Sequence, residues 1–263
     1  MIGRIYIKLI AFFQKKLANR DRFVRQLRKL PRYKEGSIAL QGRAFRFADS
    51  ASLIFTYEEI FKKNIYEFSS DTDAPYIIDA GANIGLSVLY FKKLFPKATV
   101  LAFEPDKKIA GILQDNIDSH NLQNVSVINK GLWDEEKEMT FYAEGADAGR
   151  ISSEASATST IQVTLLGPYL TRPVDLLKMD IEGAETTVLR ASKDKLRLVK
   201  RIFVEYHSFV GQEQTLSELL SILTEAGFRL NINVPGLVSK KPLVKVNVYN
   251  GMDMQLNIYG YRP

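Results

Sequence analysis

Apolar runs and helically spaced apolar residues alternate through the middle of the chain. Residues 76–78 form a short run of the kind shown by a strand buried on both faces, and a second run covers residues 98–103. Between them, four apolar residues recur at helical spacing: Ile84, Val88, Phe91 and Leu94. The pattern predicts a strand, a helix that ends before Pro96, and a second strand.

The same alternation continues towards the C-terminus. It predicts further helices at 107–120 and 216–226 and further strands at 125–129, 201–206, 228–232 and 254–259. Strands that alternate with helices favour an α/β fold, in which a largely parallel sheet is doubly wound with helices on both faces.

The first turn of this unit carries Asp79, Gly81 and Gly85. The glycines permit a sharp turn and the close approach of a ligand, and the helix that follows offers unpaired N–H groups. Glu104 lies about 20 residues further on, at the tip of the second strand, where such folds place the acid that holds the hydroxyls of a ribose. We therefore expect a nucleotide-like ligand, with a turn that serves packing alone as the alternative.

The spacing of the turn distinguishes between two cofactors. A dinucleotide site requires glycine at its first, third and sixth positions, which here hold Gly81, Asn83 and Leu86. The sequence therefore disfavours a dehydrogenase. An acid at the end of the first strand, Asp79, suits a cationic ligand with sulfonium and ammonium groups better than it suits a pyrophosphate.

Three segments resemble a known family. DAGANIG at 79–85 and AFEPD at 102–106 resemble the class I S-adenosylmethionine-dependent methyltransferases, and their wording is similar to the FkbM family. KMDIEGAE at 178–185 matches that family's Lys-x-Asp-x-Glu-Gly-x-Glu motif. The resemblance implies a Rossmann-like sheet of seven strands with the last strand antiparallel, the cofactor S-adenosyl-L-methionine, and methyl transfer to an oxygen, often a hydroxyl of a sugar or secondary metabolite.

Three groups of residues are expected to bind this cofactor: the glycine turn, the residues after the second strand and the residues after the third strand. In a doubly wound sheet the tip of the third strand neighbours the adenine end of the ligand, so Leu132 or Trp133 would wall the base. For Trp133, a place at the rim of the core is the alternative. The predicted cofactor-binding residues are Asp79, Gly81, Ala82, Asn83, Gly85, Glu104, Pro105, Asp106, Gly131, Leu132 and Trp133.

Polar residues at the ends of the fourth and fifth strands are the predicted catalytic residues. Period-two alternation brings Lys178 and Asp180 to the carboxyl end of the fourth strand, and Glu182 follows in the turn. We expect His207, at the tip of the fifth strand, to be the general base, because imidazole accepts protons near neutral pH. Asp180 would be a second base or an orienting group, and Lys178 would stabilise alkoxide charge.

Other roles for these residues stay open. Lys178 and Asp180 could be an ion-paired strand end, and His207 could be a structural histidine. Asp180 and Glu182 could hold Mg²⁺, although two carboxylates suit only a water-rich site, and we predict no metal.

The net charge of +6 is concentrated in a basic head, residues 1–34. The head has eleven Lys or Arg and one acid, a net charge of +10, which leaves the rest of the chain at −4. Residues 2–17 have the pattern of an amphipathic helix that is too short to span a bilayer, so it either lies on an anionic membrane or packs on protein. We predict a basic helical N-terminal segment at 1–46 and a methyltransferase domain at 47–263.

Shorter segments flank the sheet. Residues 36–47 predict a strand or hairpin, and 50–68 predict a helix that closes over the glycine turn, with Glu58 and Glu59 either near the cofactor or in solvent. An added strand is predicted at 138–143, and the small and polar residues of 144–160 predict a loop. We interpret this loop as a mobile substrate lid, with a disordered segment as the alternative.

The predicted function is S-adenosylmethionine-dependent O-methylation of a hydroxyl on a sugar, glycan or related small molecule, in the cytoplasm or at the inner face of the membrane. A lipid, peptide or secondary-metabolite acceptor and a non-catalytic membrane-recruitment module are the alternatives. Nucleic acid is not expected as a partner, because the sequence after Asp180 lacks the Pro-Pro-aromatic element of base methylases and the body of the chain is acidic. The absence of cysteine excludes disulfides and thiol catalysis.

Overall fold

The N-terminal part of the described chain forms a short helix and a hairpin. The computed structural model describes residues 22–143, 149–151, 158–236 and 239–262. Helix α1 (Arg22–Leu27) precedes the antiparallel strands β1 (Gly36–Leu40) and β2 (Arg43–Phe47), which confirms the predicted hairpin. The helix predicted at 2–17 lies outside the described residues.

The hairpin leads into helix α2 (Ser50–Tyr57), which a π-helical turn (Glu58–Lys62) continues. Asp49 caps α2, since its carboxylate accepts a hydrogen bond from the N–H of Ser52. The same carboxylate accepts from the side chain of Arg32 and the N–H of Tyr33, which ties the residues after α1 to α2. The helix predicted at 50–68 ends at Lys62 and is shorter than expected.

Within the described residues, eleven further strands follow. Their bounds are β3 (Tyr76–Ala80), β4 (Thr99–Phe103), β5 (Val125–Ile128), β6 (Gly131–Trp133), β7 (Lys137–Ala143), β8 (Gly149–Ile151), β9 (Thr158–Leu165), β10 (Leu176–Met179), β11 (Arg201–Phe209), β12 (Arg229–Asn233) and β13 (Met252–Tyr261).

Seven of these strands form the central sheet, in the order β12-β13-β11-β10-β3-β4-β5. The strands from β11 to β5 are parallel, and β13 is antiparallel to both of its neighbours. This is the predicted doubly wound sheet of seven strands with its last strand antiparallel, so the class I methyltransferase fold is confirmed.

Helices cover both faces of the sheet. Helices α3 (Leu86–Leu94) and α4 (Lys107–Ser119) pack on one face together with α2 and the hairpin, and α5 (Glu185–Ser192) and α6 (Leu216–Glu225) pack on the other. The strands read as continuous apolar runs because alternate residues enter the two cores: Ile77 joins the first and Ile78 the second.

A second sheet of four strands, in the order β6-β9-β7-β8, follows the tip of β5. The added strand predicted at 138–143 is confirmed as β7. The loop predicted at 144–160 is wrong in part, because it contains β8 and the first residues of β9, which pair on either side of β7. The other residues of that loop, and with them the proposed lid, lie outside the described residues.

The parallel strands β4, β3, β10 and β11 all end at the same edge of the sheet, and the predicted site residues lie at that edge. Within the described residues, no helix is both long and apolar enough to cross a membrane.

Candidate functional site

A cavity of about 630 Å³ lies at the carboxyl edge of the sheet. Its volume is in the range that holds a cofactor-sized ligand. Twelve of the predicted site residues line it: Gly81, Ala82, Asn83, Glu104, Pro105, Asp106, Gly131, Leu132, Lys178, Asp180, Glu182 and His207. Glu59, on the π-helical turn, also lines the cavity and is buried, whereas Glu58 is not among the lining residues.

The glycine turn owes its shape to close contact between backbones. Gly81 has a φ of +80°, and a Cβ at this position would lie 1.8 Å from the carbonyl oxygen of Asp180. Its N–H and that of Ala82 both donate to the carbonyl of Phe103, at 3.0 and 2.9 Å. Only glycine therefore lets the tips of β3, β4 and β10 converge on one turn.

Glu104 is buried at the wall of the cavity. One carboxylate oxygen accepts from the N–H of Asn83 at 3.0 Å, and the other accepts from the N–H of Asp106 at 2.9 Å. Burial raises the pKa of Glu104 to about 7, although these two hydrogen bonds act in the opposite direction. Each oxygen keeps a second lone pair, so the pair of oxygens can still accept from two hydroxyls of a ribose.

Three of the predicted cofactor-binding residues, Asp79, Gly85 and Trp133, do not line the cavity, and their contact with the cofactor stays a prediction. Asp79 is completely buried, accepting from the hydroxyl of Ser87 at 2.5 Å and lying 3.3 Å from the ammonium of Lys178. Gly85, which precedes α3, faces Leu113 of α4. Trp133 is partly buried against the core on the α5 and α6 face of the sheet and against the small apolar cluster of the second sheet.

Lys178 connects Asp79 to the cavity. Its ammonium donates to the carbonyl of Gly81 at 2.5 Å and lies 3.6 Å from the carboxylate of Asp180. Burial lowers the pKa of Lys178, but Asp79 and Asp180 raise it by more, so the group stays charged. Asp79 thus acts on the cavity through a lysine that also fixes the glycine turn.

His207 lies within β11 rather than at its tip, because the strand extends beyond the predicted end to Phe209. Its Nδ1 is 3.0 Å from a carboxylate oxygen of Glu185. Since a carboxylate only accepts, Nδ1 carries the proton, and Nε2 is the nitrogen that His207, a residue of the cavity lining, has left to interact with a ligand. Nε2 lies 3.7 Å from carboxylate oxygens of both Glu182 and Glu205.

Glu185 is itself fixed by the turn that precedes α5. Its carboxylate accepts from the N–H of Ile181 at 3.3 Å and from the N–H of Gly183 at 3.0 Å. Glu182, in the same turn, has a φ of +54°, an uncommon conformation for a residue with a side chain. This turn holds the Glu185–His207 pair and presents Glu182 to the cavity.

The carboxylates around His207 shift its proton affinity. Burial lowers the pKa of His207, but Glu182 and Glu185 raise it by more, so it lies well above its usual value. Burial also raises the pKa of Glu182 to about 8. The site therefore binds protons in neutral solution, and positive charge brought by a ligand would release them.

Two of the acidic residues around His207 are not predicted from the sequence as site residues. Glu185 is the last acid of the quoted motif at 178–185, and Glu205 lies two residues before His207 on the same face of β11. Period-two spacing is the signal that points to Glu205. Glu205 also accepts a hydrogen bond from the side-chain amide of Gln255 on β13.

A cation would find a different set of ligands from the one considered for Mg²⁺. In the part of the chain that the structure describes, Asp180, Glu205 and His207 bring one ligand atom each within 4.8 Å of one another. Glu182 does not belong to this group. Lys178 already places a positive charge beside Asp180.

Comparison with known proteins assigns the chain to a family. Residues 79–230, more than half of the chain, match the family described as Methyltransferase FkbM domain. The chain is 31% identical over 210 residues to Methyltransferase 1 of Beauveria bassiana, a match that covers 69% of this chain and 83% of that protein.

Two relatives have names that specify an oxygen acceptor. The 2-O-methyltransferase NoeI of Sinorhizobium fredii is 26% identical over 155 residues, covering 50% of this chain and 63% of that protein. The 31-O-demethyl-FK506 methyltransferase FkbM of Streptomyces tacrolimicus is 30% identical over 148 residues, covering 52% and 56%.

Proposed function

The chain belongs to the FkbM family of S-adenosylmethionine-dependent methyltransferases, and we propose that it methylates a hydroxyl of a sugar, a glycan or a related small molecule. The observation that carries this proposal is the Glu185–His207 pair, which turns one imidazole nitrogen towards the cavity. A hydroxyl is a poor nucleophile at neutral pH, so its methylation requires a positioned base of this kind.

The cavity separates a cofactor end from an acceptor end. Glu104 follows β4 and His207 lies on β11, and these strands are three positions apart in the sheet, or about 14 Å at the usual strand spacing. A ribose held by Glu104 would leave the methyl-donor end of the cofactor pointing along the sheet towards Asp180 and His207. Asp180, Glu182 and Glu205 suit the cationic groups of that end.

Bound S-adenosylmethionine supplies an electrophilic methyl carbon. Nε2 of His207 would take the proton of the acceptor hydroxyl as its oxygen bonds to that carbon, while the bond from the carbon to sulfur breaks and its electron pair stays on the sulfur of the demethylated cofactor. Glu185 keeps the proton of the neutral ring on Nδ1 and stabilises the imidazolium that forms. Lys178 holds the glycine turn and offsets the charge of Asp180.

The positive charge of the cofactor prepares His207 for this role. In the empty cavity the surrounding carboxylates favour a protonated imidazole, which cannot accept another proton. A sulfonium and an ammonium near Asp180 and Glu182 oppose that effect, because a like charge lowers the pKa of a cation. Cofactor binding would therefore expel a proton and produce the free base.

A polar acceptor fits the lining of the acceptor end. The carboxylates of Asp180, Glu182 and Glu205, which line the cavity, can accept hydrogen bonds from the several neighbouring hydroxyls of a sugar. The relatives whose names specify 2-O and 31-O methylation support an oxygen as the methylated atom.

The acceptor class can be tested with purified protein, labelled S-adenosylmethionine and a panel of free sugars, nucleotide sugars, oligosaccharides, amines and lipids. We expect label in one or more hydroxylated sugars and none in the amines. Labelling confined to a lipid or an amine would overturn the sugar assignment. Absence of transfer to every class, together with tight cofactor binding, would favour a non-catalytic module.

A further inference from the structure

The segment between β12 and β13 exposes a dense set of apolar side chains. We use the term rim segment for residues 239–250, whose last two residues, Tyr249 and Asn250, line the cavity. Leu243 is fully exposed at 102% and Val244 is 81% exposed. Other large apolar side chains of the segment are also exposed: Val246, Val248 and Tyr249. Single exposed apolar residues are ordinary, but a contiguous set marks an interaction surface.

The charge of this part of the chain has one sign. From Ala226 to Met252 the sequence contains no Asp or Glu. Within the rim segment Lys240, Lys241 and Lys245 are exposed and lie next to the apolar positions. This contrasts with the body of the chain, residues 35–263, which is acidic. A surface that is both apolar and basic matches the interface of an anionic bilayer, where side chains enter the headgroup region and lysines meet lipid phosphates or carboxylates.

The fold places this surface beside the reaction site. Tyr249 and Met252 are hydrogen bonded to each other across a tight turn formed by Asn250 and Gly251. Tyr249, Asn250 and Met252 line the cavity. The N–H of Val210, at the end of β11, donates to the carbonyl of Gly251 at 2.9 Å, which attaches the turn to the strand that carries His207. A membrane bound to the rim segment would therefore lie near the mouth of the cavity.

We propose that the rim segment is a docking surface for an anionic lipid bilayer, with Leu243 and Val244 entering the headgroup region and the lysines contacting anionic lipid. This segment is distinct in sequence from the basic head at residues 1–34. It would bring the cavity to acceptors held at a membrane surface. The proposal does not depend on the identity of the acceptor or on methyl transfer.

Sedimentation of the full chain with vesicles tests the surface. The vesicles are phosphatidylcholine alone or phosphatidylcholine mixed with phosphatidylserine. We expect binding to the mixed vesicles only. Leu243→Asp with Val244→Asp should weaken it by at least about tenfold, because burial of two aliphatic side chains is lost. Lys245→Glu should weaken it by about fivefold or more, since each basic residue near an anionic surface contributes about that factor.

Lys193→Glu is the matched control, because it makes the same charge change at an exposed position near the opposite edge of the sheet. It should have a smaller effect than Lys245→Glu. Unchanged affinity for S-adenosylmethionine would show that each variant is folded.

Three outcomes would overturn the proposal. Equal weakening by Lys245→Glu and Lys193→Glu would mean that only net charge matters. Full vesicle binding by the Leu243, Val244 double variant would assign membrane contact to the head. A change in oligomeric state, or a raised KM for acceptor, without a change in vesicle binding would identify the rim segment as a subunit contact or an acceptor cover.

Discussion

His207 is held by Glu185 at one ring nitrogen and faces the cavity with the other. If it accepts the hydroxyl proton, His207→Gln should lower kcat by about 10²- to 10⁴-fold while leaving cofactor affinity within a few fold. Steady-state measurement of methyl transfer checks this.

His120→Gln is the matched control for that substitution. His120 is buried as well, but its ring nitrogens lie 3.0 and 3.2 Å from the carbonyls of Asn116 and Leu40, which makes it a structural residue. Its variant should lose stability and keep its kcat. Near-normal turnover in the His207 variant would exclude His207 as the base.

Glu104 should contribute to how stability depends on pH. Its pKa is about 7 in the folded protein against an ordinary 4.5, so the folded state binds more protons than the unfolded state between these values. The free energy of unfolding should therefore fall by about 3 kcal/mol from this residue as pH rises from 4.5 through 7, and then level off.

Glu104→Gln removes this ionisation. Urea unfolding at pH 5 and pH 8 should show a difference between the two values that is about 2–3 kcal/mol smaller in the variant than in the wild type. The variant should also bind S-adenosylmethionine more weakly. An equal pH dependence in both proteins would show that Glu104 ionises normally.

Single residues differ in how far the sequence can predict them. Glu104 follows from its distance to the glycine turn, because the βαβ unit fixes where the second strand ends. Asp79 is predicted as a cofactor contact, but its sequence position does not show that it is buried beside Lys178, which lines the cavity. Glu185 is on a helix and His207 on a strand, and only the packing of α5 on β11 brings them together.

At the scale of elements, the glycine turn depends on the contact between β3 and β10. Gly81→Ala places a Cβ against the carbonyl of Asp180 and forces a positive φ, which alone costs about 1–3 kcal/mol. Thermal unfolding should show a strongly destabilised protein, and displacement of the turn should weaken cofactor binding.

Gly111→Ala supplies the contrast to this substitution. Gly111 lies inside α4, and a Cβ there would meet no atom within 4 Å. Alanine should stabilise the helix by about 0.5–1 kcal/mol. If both variants have the same stability as the wild type, the close approach at Gly81 is not a constraint on the fold.

Elements with strong periodicity follow from the sequence, and those that depend on a distant partner do not. The strands β3 and β4 and the helix α4 are predicted to within one or two residues, because each carries its own apolar pattern. Strand β8 has three residues and no apolar run of its own. It forms because β7 offers an edge for pairing, so the sequence at 144–160 predicts only a loop.

At the scale of the whole molecule, the described part of the basic head, residues 22–34, packs on the rest of the fold. Val24 and Leu27 of α1 are buried in the core that also contains α3 and α4. Removing residues 1–34 should therefore cost about 3 kcal/mol or more relative to removing residues 1–21, since two aliphatic side chains and the Arg32–Asp49 ion pair are lost. Urea unfolding of the two truncated proteins measures the difference, and equal stability would contradict the packing of α1.

The identity of the methylated atom tests the central claim most directly. The protein would be incubated with S-adenosylmethionine carrying ¹³C in its methyl group and with the acceptor selected from the panel, and the carbon spectrum of the product would be recorded. We predict one new methyl ether signal, formed by the wild type and the His120→Gln variant and lost or greatly reduced with His207→Gln. A methyl signal on nitrogen, sulfur or carbon, or an ether signal of full intensity from the His207 variant, would contradict the account.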